Sequence, residues 1–214
     1  MAERSELAVM TVPITQSAVM QNLLTRRSIR RYKPDPVPRE IIEQVLTAGI
    51  WAASAHNRQP WRFAVVETQS QKESLAAAMG ARLRRDLAAD GVDPTVIEAD
   101  ASRSYSRITN APVLVALCLS MVDMDTYADE KRNLNEYLMA VQSVAMAGQN
   151  ILLAAHEVGL GACWMCAPLF CPDVVSDALN LPVDWQPQAL LTIGYPAETR
   201  EKSRRPLESS VLWR

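Results

Sequence analysis

Residues 135–158 constrain the fold more than any other stretch. Apolar side chains fall on every side of the predicted helix: Tyr137, Leu138, Met139, Val141, Val144, Met146, Ile151, Leu152 and Leu153. A helix that is apolar all round has to be covered all round. Gln142, Gln149 and Asn150 interrupt it, and no continuous apolar stretch reaches the ~20 residues of a bilayer span. The segment therefore reads as the central helix of a globular protein. Small residues at Ala140, Ser143, Ala147 and Gly148 would let another helix approach closely. One small domain can hardly cover such a helix, so part of its cover is expected from a second subunit. Gly159-Leu160-Gly161 ends it, as glycine commonly does after a helix.

The rest of the chain supplies short elements around that helix. Residues 18–27 read as a short helix. Pro34, Pro36 and Pro38 then enforce extended backbone, with Pro38 suited to the first position of a helix over 38–52. In that helix Ile41, Ile42, Val45 and Leu46 form the apolar face. Trp61–Val66 has the composition of a strand, and Pro112–Leu119 is a nearly continuous apolar run, hence a strand buried on both faces. Residues 70–90 are helical with a basic face. Residues 91–109 are helical in pattern but polar and interrupted by Pro94, equally a mobile cover or a solvated connecting helix. Short strands are predicted over 162–165 and 188–196, and a helix over 172–179. The sum is an α+β domain with about four strands and no regular βαβ alternation. An arm over residues 1–18 precedes a single domain over 19–214.

The net charge of −2 over 214 residues gives no global attraction to nucleic acid or anionic membrane. Against that background Thr25-Arg26-Arg27-Ser28-Ile29-Arg30-Arg31 packs four arginines and two hydroxyls into seven residues. Guanidinium forks and hydroxyls are the pairing that grips a phosphate, whereas a solvated turn needs no such density. The other basic segments are 82–85 and 200–205, so positive charge is focused at separated points. That distribution suits a small anionic ligand better than a polymer. The first 25 residues carry Glu3, Glu6 and Pro13 and lack the features of a secretory signal, so a cytoplasmic protein is expected.

Self-sufficient catalytic sets are missing from the sequence. The two histidines are His56 and His156, no nucleophile elbow is present, and Gly159-Leu160-Gly161 follows a helix instead of opening one. Chemistry here would be borrowed from a cofactor. Cys163 and Cys166 would point to opposite faces of an extended segment, so free thiols are expected at Cys118, Cys163, Cys166 and Cys171 in place of a metal centre. The polar loop Ser54–Gln59 has amide and hydroxyl groups suited to the edge of a heterocycle. The tail offers Lys202 and Arg204 to a shared anion.

Four segments in order carry a family resemblance: Arg26-Arg27-Ser28-Ile29-Arg30 with Pro34; Ser54-Ala55-His56-Asn57-Arg58-Gln59-Pro60-Trp61-Arg62-Phe63; Gly159-Leu160-Gly161-Ala162-Cys163-Trp164; and Lys202-Ser203-Arg204. Together, over residues 20–208, they resemble the FMN-dependent nitroreductases. Ala53-Ser54 departs from the Pro-Ser often found in that family but keeps the hydroxyl. The resemblance implies a nitroreductase-like fold with a small, mostly antiparallel central sheet, in an intertwined homodimer holding FMN at the subunit interface. By that likeness Arg26, Arg27, Ser28 and Arg30 hold phosphate and ribityl oxygens, joined by Lys202 and Arg204. Ser54, Ala55, Asn57 and Gln59 of the other subunit line the flavin. Backbone amides of Gly161, Ala162 and Cys163 face the reactive ring. The implied activity is electron transfer from NADH or NADPH through FMN to a nitroaromatic, quinone or similar small acceptor by ping-pong turnover, without an obligatory catalytic side chain. Residues 78–82, 110–115 and 181–185 are also similar to the flavin domain fused to the glutamate ligase of deazaflavin-coenzyme biosynthesis. That likeness implies an alternative, reduction of a dehydro precursor. Flavin binding without turnover is a third reading.

Overall fold

The computed structural model describes residues 17–214. Helix α1 (Ala18–Thr25) begins where the Ser17 hydroxyl accepts the Met20 N–H at 3.1 Å, satisfying one of the free donors of a helix start. The arm expected over 1–18 thus lies outside the described residues except for its last two, and those two open α1. Helix α2 (Arg39–Ile50) starts one residue later than the proline pattern predicts. Pro38 stays extended at ψ 140° and its carbonyl accepts the N–H groups of Ile41 and Ile42, so it caps the helix from outside.

Strand β1 (Trp61–Val66) leads into α3 (Gln69–Ala89) and α4 (Pro94–Thr109). Pro94 opens α4 and does not interrupt a helix, because Asp93 accepts the Thr95 N–H at 2.8 Å. Proline suits this position since its missing N–H would be unpaired in any case. Strand β2 (Val113–Leu119) precedes the central helix α5, which runs Glu130–Glu157. It starts earlier than apolar periodicity predicts because Asp129 caps a polar first turn by accepting the Arg132 N–H at 2.9 Å. After β3 (Gly161–Met165) come α6 (Pro172–Leu179) and β4 (Gln186–Gly194).

The four strands form one antiparallel sheet in the order β1-β2-β4-β3. Both inner strands are buried on both faces, which explains the unbroken apolar run of β2. On one face Val113 and Val115 meet Ile42, Val45, Ile151 and Leu152 of α2 and α5. On the other, Leu114, Ala116 and Cys118 meet Leu75, Met79, Ile108 and Val175 of α3, α4 and α6. The alternation follows from the two-residue period of a strand. α5 lies close on the sheet at Gly148, where a Cβ would come within 2.3 Å of Trp164 Cζ3 and 2.8 Å of Leu117 Cδ2.

One chain, through the sheet, α2 and α1, leaves part of α5 uncovered. Ala140, Val144, Ala147, Ile151 and Ala155 are buried on the sheet face, while Leu138 and Met146 remain 48% and 42% exposed. By length and mean hydropathy alone, 1.4 in its most apolar stretch, α5 could cross a membrane. Its packing on the sheet instead makes it a core helix.

Candidate functional site

The arginine segment is an extended strip laid against the β3 edge of the sheet. The Ile29 N–H donates to the Ala162 carbonyl at 3.0 Å, and Ser28 and Ala162 form a parallel bridge, the single parallel pairing among the described residues. Gly161 makes the approach possible, since a Cβ there would stand 2.7 Å from Ile29 Cβ. Further along, Lys33 donates its N–H to Tyr195, Ala197 donates to Arg31, and Tyr32 bridges to Pro196. The Tyr32 hydroxyl lies 2.7 Å from Thr192 Oγ1 and 2.9 Å from the Thr192 carbonyl, and donates to Ile29 as one of its choices. Three separate stretches, 26–32, 161–163 and 196–200, are thereby brought to one place.

The positive charge gathered there is under-compensated. Burial, then the charges of Arg204 and Arg27, push Arg26 below the usual arginine value, with Cys163 opposing. Arg27 donates Nη1 to the carbonyls of Leu24 and Arg26, yet its Nε is buried with no partner among the described residues. A buried guanidinium N–H aimed at nothing is costly, and an anion is its natural acceptor. Glu198 is committed elsewhere: one oxygen accepts the Arg30 N–H and the other accepts Arg200, each at 2.8 Å. These bonds outweigh the opposing effect of burial and hold its carboxyl below the usual range. A cavity of about 300 Å3 opens beside the strip, lined by Arg26, Arg27, Gly161, Ala162, His156 and Arg200 among others.

Cys163 sits under this cluster, 2% exposed. Burial pushes its thiol up despite the nearby charges of Arg30, Arg107 and Arg26, so it is a packed thiol and not a nucleophile. All four cysteines are free, with Cys166 exposed just past β3. Lys202 and Arg204 lie in an exposed, irregular tail. Arg204 is close enough for its charge to depress Arg26, and donates to Ser203. Lys202 makes no side-chain hydrogen bond to the strip among the described residues.

Three contributors went unassigned in the sequence reading. Arg107 adds charge beside Cys163, and Arg200 adds charge beside Arg107. His156, at the end of α5, faces Thr25 at 2.9 Å, and burial and Arg26 push its imidazole below the usual value. None had a local motif. Arg107 stands on a polar helix and is aimed inward only because Ile108 and Ala101 fix that helix against α3.

The Ser54–Gln59 loop is elsewhere. It precedes β1 at the opposite edge of the sheet from β3, three strand spacings or roughly 14 Å across. The backbone winds through a single 3-10 turn at Ala55–Asn57, with His56, Asn57 and Gln59 at φ 49°, 54° and 51°. Non-glycine residues rarely hold such values, and strain of this kind clusters at binding sites. The turn is held by the Ser54 hydroxyl accepting the Gln59 N–H at 3.1 Å and by the Ala55 N–H donating to Ser143 of α5 at 3.2 Å. Gln59 Nε2 donates to Asn57 Oδ1 at 3.3 Å. One chain therefore brings together the strip, β3 and part of the tail, but not this loop.

A small antiparallel sheet clad by helices, with an arginine strip stapled to one edge, is a nitroreductase-like fold. The nitroreductase family profile matches residues 23–195, and the chain belongs to that family. An NADH dehydrogenase of Thermus thermophilus is 31% identical over 216 residues, covering 89% of this chain and 93% of the relative. A 5,6-dimethylbenzimidazole synthase of Rhodospirillum rubrum is 29% identical over 176 residues, covering 81% and 79%. Among solved structures, a nitroreductase-type protein of Desulfovibrio desulfuricans in complex with FMN superposes with TM-score 0.72 at 29% identity, covering 94% of this chain and 98% of that one.

Proposed function

We propose that this chain is an FMN-dependent oxidoreductase taking electrons from NADH or NADPH and passing them to a nitroaromatic, quinone or similar small acceptor. The observation that carries the reading is the strip itself: among the described residues Arg26 has no carboxylate partner and Arg27 has an unspent buried donor, both beside the edge of β3. The phosphate of FMN is an anion of the right size and geometry for paired guanidinium groups. When bound, FMN would supply the electron-carrier chemistry that no side chain here provides.

In this reading Arg26, Arg27, Ser28 and Arg30 hold the phosphate and ribityl chain, with Arg204 and Lys202 closing over them from the tail. Arg30 and Arg107 keep positive charge beside β3, where it favours an electron-rich ring. The β3 edge presents backbone of Gly161, Ala162 and Cys163 past the Ser28 bridge. Ser54, Ala55, Asn57 and Gln59 come from a second copy, since their own chain holds them at the far sheet edge. The exposed apolar residues of α5 (Leu138, Met146) and α1 (Val19, Leu23, Leu24) support such a homodimer. Turnover would be ping-pong, in the cytoplasm, with residues 19–214 acting as one flavin-binding unit.

Of the segments resembling the deazaflavin-coenzyme domain, only 110–115 reaches the strip, where Asn110, Ala111 and Pro112 line a cavity with Arg30, Arg31 and Tyr32. Met79, Ala111 and Leu114 belong to one core cluster, with Leu181 and Trp185 packed against it. Most of that likeness falls on packing residues, and the general oxidoreductase is the reading we put forward.

The test is the absorbance spectrum of the purified chain, followed by stopped-flow reduction with each nicotinamide nucleotide. A flavin spectrum is expected from the parent. Arg26→Ala combined with Arg204→Ala should fold but purify colourless. Stoichiometric flavin retained by the double variant would overturn the assignment.

A further inference from the structure

Outside the strip, the least satisfied acid among the described residues is Glu136. It lies near the start of α5, is 2% exposed, and its Oε2 is buried with no hydrogen-bond partner among the described residues. Its Oε1 accepts the Tyr127 hydroxyl at 3.3 Å, the one bond orienting the carboxylate. A buried carboxylate with an unused oxygen needs either a proton or a cation.

The groups facing Glu136 favour a cation. The His56 imidazole and the Asp125 carboxylate converge on it, and one donor atom from each of the three residues lies within 4.8 Å of the other two. Asp125 pairs through Oδ1 with Arg58, which leaves Oδ2 available. Arg132 sits over the Tyr127 ring and so does not neutralise Glu136 directly. His56 is delivered by the left-handed backbone of the 54–59 turn at φ 49°, a conformation uncommon outside glycine that histidine tolerates better than most residues.

We propose that His56, Asp125 and Glu136 form a divalent-cation site, of the zinc or manganese class, that ties the 54–59 loop to α5. One imidazole and two carboxylates are a common donor set for such ions, with water completing the shell. Tyr127 is the outer partner that orients a ligand carboxylate. Bonds of about 2.1 Å would set neighbouring donors about 3.4 Å apart, so closure needs an inward shift of about an ångström. The exposed His56 side chain can supply it by a rotamer change. The cation would fix the loop carrying Ser54, Asn57 and Gln59, and the site stands whether or not those residues line a flavin.

The experiment uses the full chain as purified, stripped with EDTA and dialysed. It is titrated calorimetrically with ZnCl2 and, separately, MnCl2, with metal content measured after desalting. One equivalent of either metal per chain is expected, with affinity at least tenfold weaker in both Glu136→Gln and His56→Ala. His56 is exposed, so its variant decides the matter if Glu136→Gln fails to fold. Less than a tenth of an equivalent retained by the parent, or undiminished binding in His56→Ala, overturns the proposal.

Discussion

Replacing Gly148 with alanine puts the architecture of the site to a quantitative test. The new methyl would stand 2.3 Å from Trp164 Cζ3 and 2.8 Å from Leu117 Cδ2, whereas carbon atoms pack at about 3.5–4.0 Å. α5 or β3 must therefore move by about an ångström, and β3 is held on its other side by β4 and the arginine strip. Overpacking of this kind costs about 1–3 kcal/mol. Alanine's better helix propensity returns up to about 1 kcal/mol. We expect a net loss of about 1–2 kcal/mol, with the upper part of the range favoured because two neighbours are overlapped. In urea unfolding at fixed protein concentration, with a slope of about 2 kcal/mol per M, the midpoint should fall by roughly 0.5–1 M. The cause is checked by a double-mutant cycle with Trp164→Leu, in which Gly148→Ala should cost clearly less because the closer of the two overlaps is gone and only that with Leu117 remains. A single variant as stable as the parent, or a cycle with no coupling, would refute the packing argument.

Other consequences follow from the same neighbourhood. Tyr32→Phe removes the hydroxyl that ties the strip to Thr192, and should cost about 1–2 kcal/mol in chemical unfolding; an unchanged midpoint would show that the strip is held without it. Because burial and Arg26 hold His156 below its ordinary value, with Glu157 opposing, the unfolded chain takes up the proton first. The stability contribution is then complete above about pH 6.5 and is lost as pH falls through the lower folded value. His156→Gln should flatten the stability profile below that pH, and an unchanged slope would exclude His156 as the titrating group. Arg107→Met should weaken retention of an anionic cofactor about fivefold at low salt, an effect that shrinks as salt screens it. A salt-independent loss would mean that Arg107 acts by packing.

Element positions were readable where the physical signal is local. Trp61–Val66 and Pro172–Leu179 follow directly from β-branched composition and from proline at a helix start. The first turn of α5 was not readable from apolar periodicity, because its start is set by the Asp129 cap. Pro94 was read as an interruption when it is a beginning, an ambiguity settled only by the neighbouring Asp93 side chain. At the site, Arg26, Arg27, Ser28 and Arg30 stood out because their charges are adjacent in sequence. Arg107, His156 and Arg200 reach the same place through tertiary packing, so each looked like a single polar residue on a helix or tail. The link between Ile29 and Gly161 spans more than 130 residues and left no sequence trace beyond the glycine itself.

The strip and the 54–59 loop occupy opposite edges of one sheet. In the homodimer proposed above, each pocket therefore takes its strip from one copy and its loop from the other. Joining a copy damaged only in the strip to a copy damaged only in the loop would give one pocket with both lesions and one with neither. Two inactive chains would restore function when co-expressed, which a site built within a single chain could never do. The position of four residues at a sheet edge thus becomes a genetic property: complementation between alleles.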